Sequence, residues 1–309
     1  MKIEGLNKGE LLLPALTAGN LLAFLAALGT LRAVTFHSPQ TNPRMRWTPH
    51  GGAFRPVLNF KDATPGLLLD ILDAVLPEMA KNPAIHYADN PAVDPPLFEK
   101  QEMLALDTAL RNDRHHADFL AALGTSAARD PKSGIIEDTA FRTMQGAGHQ
   151  NFLETMRELA TATTRSHLDE SLFGRFDATE KSLGLRWDAA EDRPYALRWR
   201  NPSSETVWTV RGANRLAFEA LPFFPVLSHH GRARTTGFGA GSNPTFTYPV
   251  WAAPANVDML RSMLALPDLQ KAKIGDRREM LAGMGIVAVY RCERVTRGKY
   301  RNFSAPYPV

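Results

Sequence analysis

The residues best equipped for chemistry lie in two glycine-bearing stretches. In the first, inside residues 220–251, His229, His230, Arg232, Arg234, Thr235 and Thr236 are followed by Gly237, Gly239, Gly241 and Asn243. Glycine lets a backbone come close to a ligand, and guanidinium and hydroxyl groups beside such amides grip phosphate oxygens. Arg211 and Arg215 make the approach to this stretch basic as well. The second is Gln145-Gly146-Ala147-Gly148-His149-Gln150-Asn151, just ahead of an amphipathic run. A glycine loop entering a helix N-terminus offers unpaired amides and the positive end of the helix dipole, which together seat an anion. Gln145, Gln150, Asn151 and Asn243 add amide side chains that can read base edges without adding charge. Each stretch also has a plainer reading. The first fits a long solvated hairpin loop, the second a helix entry capped by Asn151, and the residues alone leave both open.

Catalysis needs more than a histidine, because a general base must have a positioned partner. His149 is the best-placed candidate, beside potential phosphate-binding amides. His115-His116 with Asp118 forms an HxD pattern, but the further His and Asp residues of a metal-dependent phosphohydrolase are not spaced around it. Neither HExxH nor GxSxG occurs. Dinucleotide binding is a poor fit to the first stretch, since Pro244 and a β-branched, aromatic run stand where a helix should open. The residues form no catalytic constellation, and neither a metal nor a cofactor is expected.

These stretches need a scaffold. The chain of 309 residues is 44% hydrophobic and 22% charged, which is globular composition. Its formal net charge of +4 permits a nucleic-acid partner without demanding one. The single cysteine, Cys292, excludes intramolecular disulfides and multi-cysteine zinc sites. Residues 11–36 are the one membrane suspect, but Pro14, Gly19, Asn20 and Arg32 break the run, so a cytoplasmic protein without a secretory signal is expected.

Thr17 or Asn20 can cap a buried helix through residues 21–34. Residues 44–47 and 53–59 read as strands turned at Gly51-Gly52. Pro65 opens a helix over 66–79, and another is expected over 98–123. The heptamer FLAALGT occurs at 24–30 and again at 119–125 with different flanks. This suggests two Ala/Leu helices ending near glycine rather than a duplication. Residues 183–187 pair with 195–199 as expected strands, and 221–227 and 246–251 are expected as edge or entry strands because of their prolines. Helices over 257–266 and 268–283, a buried strand over 285–291 and a basic return over 295–303 complete the chain. The expectation is a single α+β unit over 1–309. It is helix-rich over 1–170 and strand- and loop-rich over 171–309, with a mixed or antiparallel sheet fed by both halves and long basic glycine-rich loops.

Several of these segments resemble one family. LTAGNLLAFLAALGTLRAV followed by RMRWTPHGGAFRPVL is similar to the start of the large-subunit proteins of type I-G (formerly I-U) CRISPR effector complexes, which open with a helix of this Ala-Leu-Gly-x-Leu-Arg kind and then an arginine–tryptophan strand. The loop at 145–152 resembles that family's glycine loop, departing from it at Ala147 and His149. RLAFEALPFFPV, ARTTGFG, FTYPVWAAP and the ending GIVAVYRCERVTRGKYRNF resemble its C-terminal region. The chain is shorter than such subunits and would be a compact version. The resemblance implies a non-catalytic subunit that binds guide RNA and target double-stranded DNA. It would also recognise the motif beside the target, help open the duplex and help recruit the helicase-nuclease. Its partners would be the backbone subunits and the RNA-end-binding subunit of the complex, with no membrane involved. In RNA-guided systems protein reads the short motif and the shape, while base pairing reads the rest. Two other classes compete. One is a guide-RNA-processing endoribonuclease with His149 or His229 as base. The other is a scaffold whose loops meet only protein.

Overall fold

The computed structural model describes residues 6–87, 91, 94–144, 151–178, 180–181, 184–191, 208–239, 244–271, 274–297 and 300–309. Strand β1 (Glu10–Leu12) leads to helix α1 (Leu21–His37), where the Asn20 side chain accepts a hydrogen bond from the Ala23 N–H at 3.0 Å. Helix α1 is buried from Leu21 to Val34, as a sequence apolar on every face requires. Strands β2 (Arg44–His50) and β3 (Ala53–Asn59) form an antiparallel hairpin turned at Gly51 and Gly52, and β1 pairs with the other edge of β3. Helix α2 (Pro65–Met79) starts at the expected proline, with the Thr64 hydroxyl capping the Leu67 N–H.

The single helix expected over 98–123 is in fact two, α3 (Pro95–Leu110) and α4 (His115–Leu123). Asn112 enters the left-handed region at φ 66°, and Asp113 accepts from the His115 N–H, so the chain doubles back on a polar turn. Strand β4 (Gly124–Arg129) follows α4 without a loop and pairs with β5 (Ile136–Asp138). Next come α5 (Phe152–Ala162), α6 (Arg165–Phe173), the short pair β6 (Glu180–Lys181) and β7 (Trp208–Thr209), and α7 (Arg211–Phe218). Residues 184–187 are not a strand; Arg186 stands at φ 56°. Their expected partner, 195–199, lies outside the described residues.

The apolar run at 221–227 begins as a 3-10 turn, Leu221–Phe223, and becomes extended only at β8 (Val226–His229). Two prolines in that run favour the turn over a ladder. Strand β8 pairs with β9 (Arg232–Thr235), and β10 (Thr245–Trp251) then enters the core. Helix α8 (Val257–Leu264) is shorter than expected. Residues 268–283 form two 3-10 turns and the short α9 (Arg278–Gly283) instead of one helix. The long strand β11 (Ile286–Arg297) pairs with β10, with β12 (Tyr300–Phe303) and with β13 (Tyr307–Pro308). Strand β10 is an edge strand, which accommodates Pro249.

The fold is thus α+β, but among the described residues no one sheet is fed by both halves. The N-terminal sheet is β1-β3-β2 and the C-terminal sheet is β10-β11-β12 with β13. They meet through an isolated bridge between Met45 and Ala255 and through the Trp251 indole N–H, which donates to the Met45 carbonyl at 2.7 Å. Among the described residues, six of the nine α-helices begin before residue 170 and eight of the thirteen strands begin after residue 171.

One continuous cluster of buried apolar residues runs from Leu11 to Phe303. Its centre is the crossing of α1 and α7, where Gly29 lies directly against the Leu216 carbonyl. Phe24 stacks on Tyr248 with ring centroids 4.1 Å apart, and Trp47 meets Trp251 edge-on at 5.9 Å, so the two sheets share this core. A second hub is Phe141. Its ring contacts Trp187, Phe224, Phe238, Phe246 and Phe303 at centroid distances of 5.0–6.1 Å. That hub brings the approach to the 145–150 loop against the C-terminal sheet.

Candidate nucleic-acid interface

The stretch read as a long loop is a β-arm. The β8–β9 register pairs Val226 with Thr235 and His229 with Arg232, leaving His230 and Gly231 as a two-residue turn. Both turn residues have positive φ, 52° and 74°, the backbone of a type I′ hairpin, whose twist matches that of its strands. The arm leans on β4–β5. The Ser228 hydroxyl donates to the Ala127 carbonyl at 2.6 Å, and the Ala233 N–H donates to a Glu137 carboxylate oxygen at 2.8 Å.

The two threonines hold the root of the arm rather than face outward. Thr235 is buried and its hydroxyl oxygen accepts from the Ala140 N–H at 2.8 Å; the Thr236 hydroxyl donates to the Pro225 carbonyl at 2.9 Å. What the arm presents to solvent is Leu227, Ser228, His229, His230, Arg232 and Arg234. Arg232 pairs with Glu137 at 2.8 Å, but its side chain is 69% exposed, so the pair is weak and readily exchanged. Arg234 has no hydrogen-bond or ion-pair partner among the described residues. The two histidine rings meet edge to face at 4.3 Å, and among the described residues no carboxylate pairs with either of them.

Arg211 and Arg215 do not extend this surface. Arg215 is 1% exposed and pairs with Glu219 at 2.7 Å, while donating to the Leu76 carbonyl. Helix α7 turns that side chain into the core, where a phosphate cannot follow. Arg211 is largely covered; its guanidinium lies 3.4 Å from the Ala162 carbonyl and 3.6 Å from Glu180.

Gln145, Gly146, Gly148, His149, Gln150 and Asn243 lie outside the described residues. Asn151 does occupy the N-cap of α5, at φ −110° and ψ 132°, but its side chain donates to Glu154 at 2.9 Å instead of accepting from the helix. The ends of the 145–150 loop are firmly seated: Met144 and Phe152 are buried, and the Arg142 guanidinium lies over the Phe152 ring at 5.2 Å.

Around these ends the fold gathers arginines that sequence reasoning did not single out. Arg142 is buried and ion-paired with Asp138. Arg294 on β11 donates to the Arg142 carbonyl at 3.1 Å, and Arg186 reaches Asn302 on β12 at 3.5 Å. In the β11–β12 register Arg301 opposes Thr296 and Phe303 opposes Arg294, so Arg294 and Arg301 share one face of the ladder. Burial, reinforced by the charge of Arg301 and opposed by Asp138, pushes the Arg294 guanidinium down to about 10. Two core contacts make the gathering. The Trp187 indole donates to the Phe141 carbonyl at 3.0 Å, and the Thr143 hydroxyl donates to the Leu185 carbonyl at 2.8 Å. The basic stretch carrying Arg294, Thr296 and Arg301 was the available signal; Arg142 and Arg186 are joined to it only by tertiary structure.

Glu191 secures the turn at Arg186. It accepts from the Arg186 N–H at 3.0 Å and from the Thr209 hydroxyl at 2.8 Å, yet burial pushes its carboxyl up to about 7. An unfolded chain releases that proton near the ordinary value of 4.5, so from about pH 4.5 to 7 the folded state holds the extra proton. This carboxyl therefore makes stability fall as pH rises through that window. Glu191→Gln is expected to flatten the decline in urea-denaturation midpoint between pH 5 and pH 8, and an unaltered pH profile would count against the assignment.

His115 on α4 has a structural role. His115 Nδ1 accepts from Arg32 at 2.8 Å while Nε2 donates to the Met79 carbonyl at 3.3 Å, and burial, with Arg32 next, holds its pKa below the usual imidazole range. Asp118 of the HxD pattern is taken by Arg261 at 2.6 Å and Arg114 at 3.2 Å. Among the described residues no group of three or more His, Cys, Asp or Glu is placed to hold a metal ion, and no helix is long and apolar enough to cross a membrane. No protein-family model matches the chain, and no curated protein matches it either.

Proposed function

We propose that this protein is a non-catalytic, nucleic-acid-binding subunit of an RNA-guided CRISPR surveillance complex. In this reading it contacts guide RNA and target duplex, recognises the target-adjacent motif, and helps duplex opening and recruitment of the helicase-nuclease. The observation that carries the nucleic-acid part is the β8–β9 arm, a rigid hairpin rooted in the core whose outer face is made of His229, His230, Arg232 and Arg234. Phosphate backbones are met by such charges on a fixed support. The stretch 145–151, with its amide side chains, is the proposed motif reader. Membership of a larger assembly is supported by α3, which exposes Met103, Leu104, Leu106 and Leu110. A cluster of large apolar side chains on one exposed helix is surface that a neighbouring subunit buries.

The test is a fluorescence-anisotropy titration of labelled duplex and repeat RNA at several salt concentrations. Replacing Arg232 and Arg234 together with alanine should weaken binding to a similar degree for all sequences. It should lower the salt slope on duplex DNA by roughly one to two, at ~0.9 per phosphate neutralised. An unchanged slope would assign the arm to a protein neighbour. Metal-independent cleavage of the repeat RNA, abolished by His149→Ala or His229→Ala, would replace the proposal with the processing endoribonuclease.

A further inference from the structure

The register of the β8–β9 arm sorts its side chains by face. Cross-strand partners point the same way, as do alternate residues of one strand. Leu227 opposes Arg234 and His229 opposes Arg232, so these four share one face. All four are exposed. The other face carries Val226, Ser228, Ala233 and Thr235 and is turned inward. Val226 and Thr235 are buried, and the Ser228 hydroxyl donates to the Ala127 carbonyl of β4. A duplex major groove, about 12 Å wide, admits a two-stranded ribbon when the ribbon's sides are free. Here the Ala233 N–H meets Glu137 of β5, so β5 covers one side and the arm offers a broad, one-sided surface.

The two strands divide that surface chemically. Strand β9 supplies a cationic row, Arg232 and Arg234, while β8 supplies Leu227 and the His229 imidazole, with His230 beyond them at the turn. Strand geometry sets the rows about 4.8 Å apart, with about 6.8 Å between neighbours within a row. Glu137 lies 2.8 Å from one nitrogen of Arg232, and a guanidinium has five N–H donors, so the pair steers this cation without using it up. A single strand of nucleic acid has the same division, a line of phosphates beside a line of unstacked base faces. Guanidiniums grip the first, and an imidazole ring with an aliphatic neighbour covers the second. In a duplex the base faces are stacked inside and only their edges show, which leaves Leu227 and His229 nothing to cover. Given the nucleic-acid reading above, on which this step rests, we infer that the exposed face of the arm seats a single strand, its phosphates along β9 and its bases along β8.

The full chain and its variants are titrated by fluorescence anisotropy over a range of salt. The probes are one labelled sequence as single-stranded DNA, as single-stranded RNA and as duplex DNA. His229→Ala should weaken single-strand binding about tenfold, the loss of stacking for one base, with little change on duplex and an unchanged salt slope. Leu227→Ser should act in the same direction by a smaller factor. His229→Phe should keep the wild-type preference, since a phenyl ring offers a base the same flat face without charge or hydrogen bonds. Arg234→Gln should lower the slope by about 0.7 on single strands. Every variant should unfold at the wild-type temperature, because these side chains are exposed.

Equal losses on single strand and duplex in His229→Ala, or no loss on either, overturn the seat and leave the function proposed above standing on the arginines. Loss of the preference in His229→Phe overturns it too, by assigning the imidazole to a polar contact. A wild type that binds duplex alone removes the seat and keeps that function. Binding to no nucleic acid at any salt sinks both. A preference for the DNA strand over the RNA strand, or the reverse, alongside the selective loss in His229→Ala supports the seat and names the strand that fills it.

Discussion

Glu219→Ala is expected to be the most damaging single substitution of a charged residue in this protein, costing about 3–5 kcal/mol. Glu219 is fully buried at the end of α7 and holds two guanidiniums at once, Arg32 from α1 and Arg215 from α7, each at 2.7 Å. Arg32 also donates to the Glu219 main-chain carbonyl at 3.3 Å and to His115 at 2.8 Å, and Arg215 donates to Leu76 at 2.7 Å. One carboxylate therefore ties α1, α2, α4 and α7 together. Burial depresses the pKa of both arginines, and Glu219 is the charge that opposes this most in each. Without it, two buried cations lose the carboxylate they share, and desolvation wins over every neutral hydrogen bond that remains.

Arg215→Met is expected to cost less, because the Arg32–Glu219 pair survives and methionine refills the space with apolar volume. Urea unfolding followed by circular dichroism would rank the two. A loss under 1 kcal/mol for Glu219→Ala, or the reverse order, would mean that water reaches this network.

The parts of the fold that were readable in sequence are those decided by neighbours along the chain. Asn20 was legible as a cap, Pro65 as a helix start and Gly51-Gly52 as a hairpin turn, because each acts on the backbone within three residues. Misreadings came where a local signal was outvoted. Residues 98–123 read as one helix, but the polar Asn112-Asp113 turn divides them. Residues 221–227 look like a strand by composition, and their prolines turn them instead.

In the candidate site, the arm was legible as basic but not as a strand pair, since His230-Gly231 is a less familiar type I′ turn than Asn-Gly. Arg215 was misassigned because charge alone does not say which way a helix faces; its i, i+4 partner Glu219 was the clue. The gathering of Arg142, Arg186, Arg294 and Arg301 was out of reach, because it depends on the Phe141 hub joining segments more than a hundred residues apart.

The repeated heptamer supplies the second large expected effect. Its first copy does not end a helix: Gly29 lies inside α1, which continues to His37, whereas Gly124 in the second copy does terminate α4. Helix propensity alone predicts that Gly29→Ala stabilises α1 by about 1 kcal/mol. Packing says the opposite. A Cβ at Gly29 would stand 1.8 Å from the Leu216 carbonyl oxygen and 2.7 Å from its carbon, both backbone atoms of α7. That helix cannot retreat, because Gly212 on α7 presses against the His167 carbonyl of α6, where a Cβ would lie at 2.2 Å. Overpacking a core usually costs about 1–3 kcal/mol, and a clash between two helix backbones belongs at or above the top of that range.

Gly124→Ala is the internal control. Its Cβ would meet the Pro91 ring at 2.8 Å and no backbone atom closer than 3.5 Å, so a side-chain adjustment relieves most of it. The expected result is a large drop in unfolding temperature for Gly29→Ala and a modest one for Gly124→Ala. The arm gives a second readout. Helix α7 runs through Leu221–Phe223 into β8, so displacing α7 should weaken nucleic-acid binding in Gly29→Ala even where the chain is still folded. A Gly29→Ala protein as stable as wild type would show that α1 and α7 do not cross at this glycine.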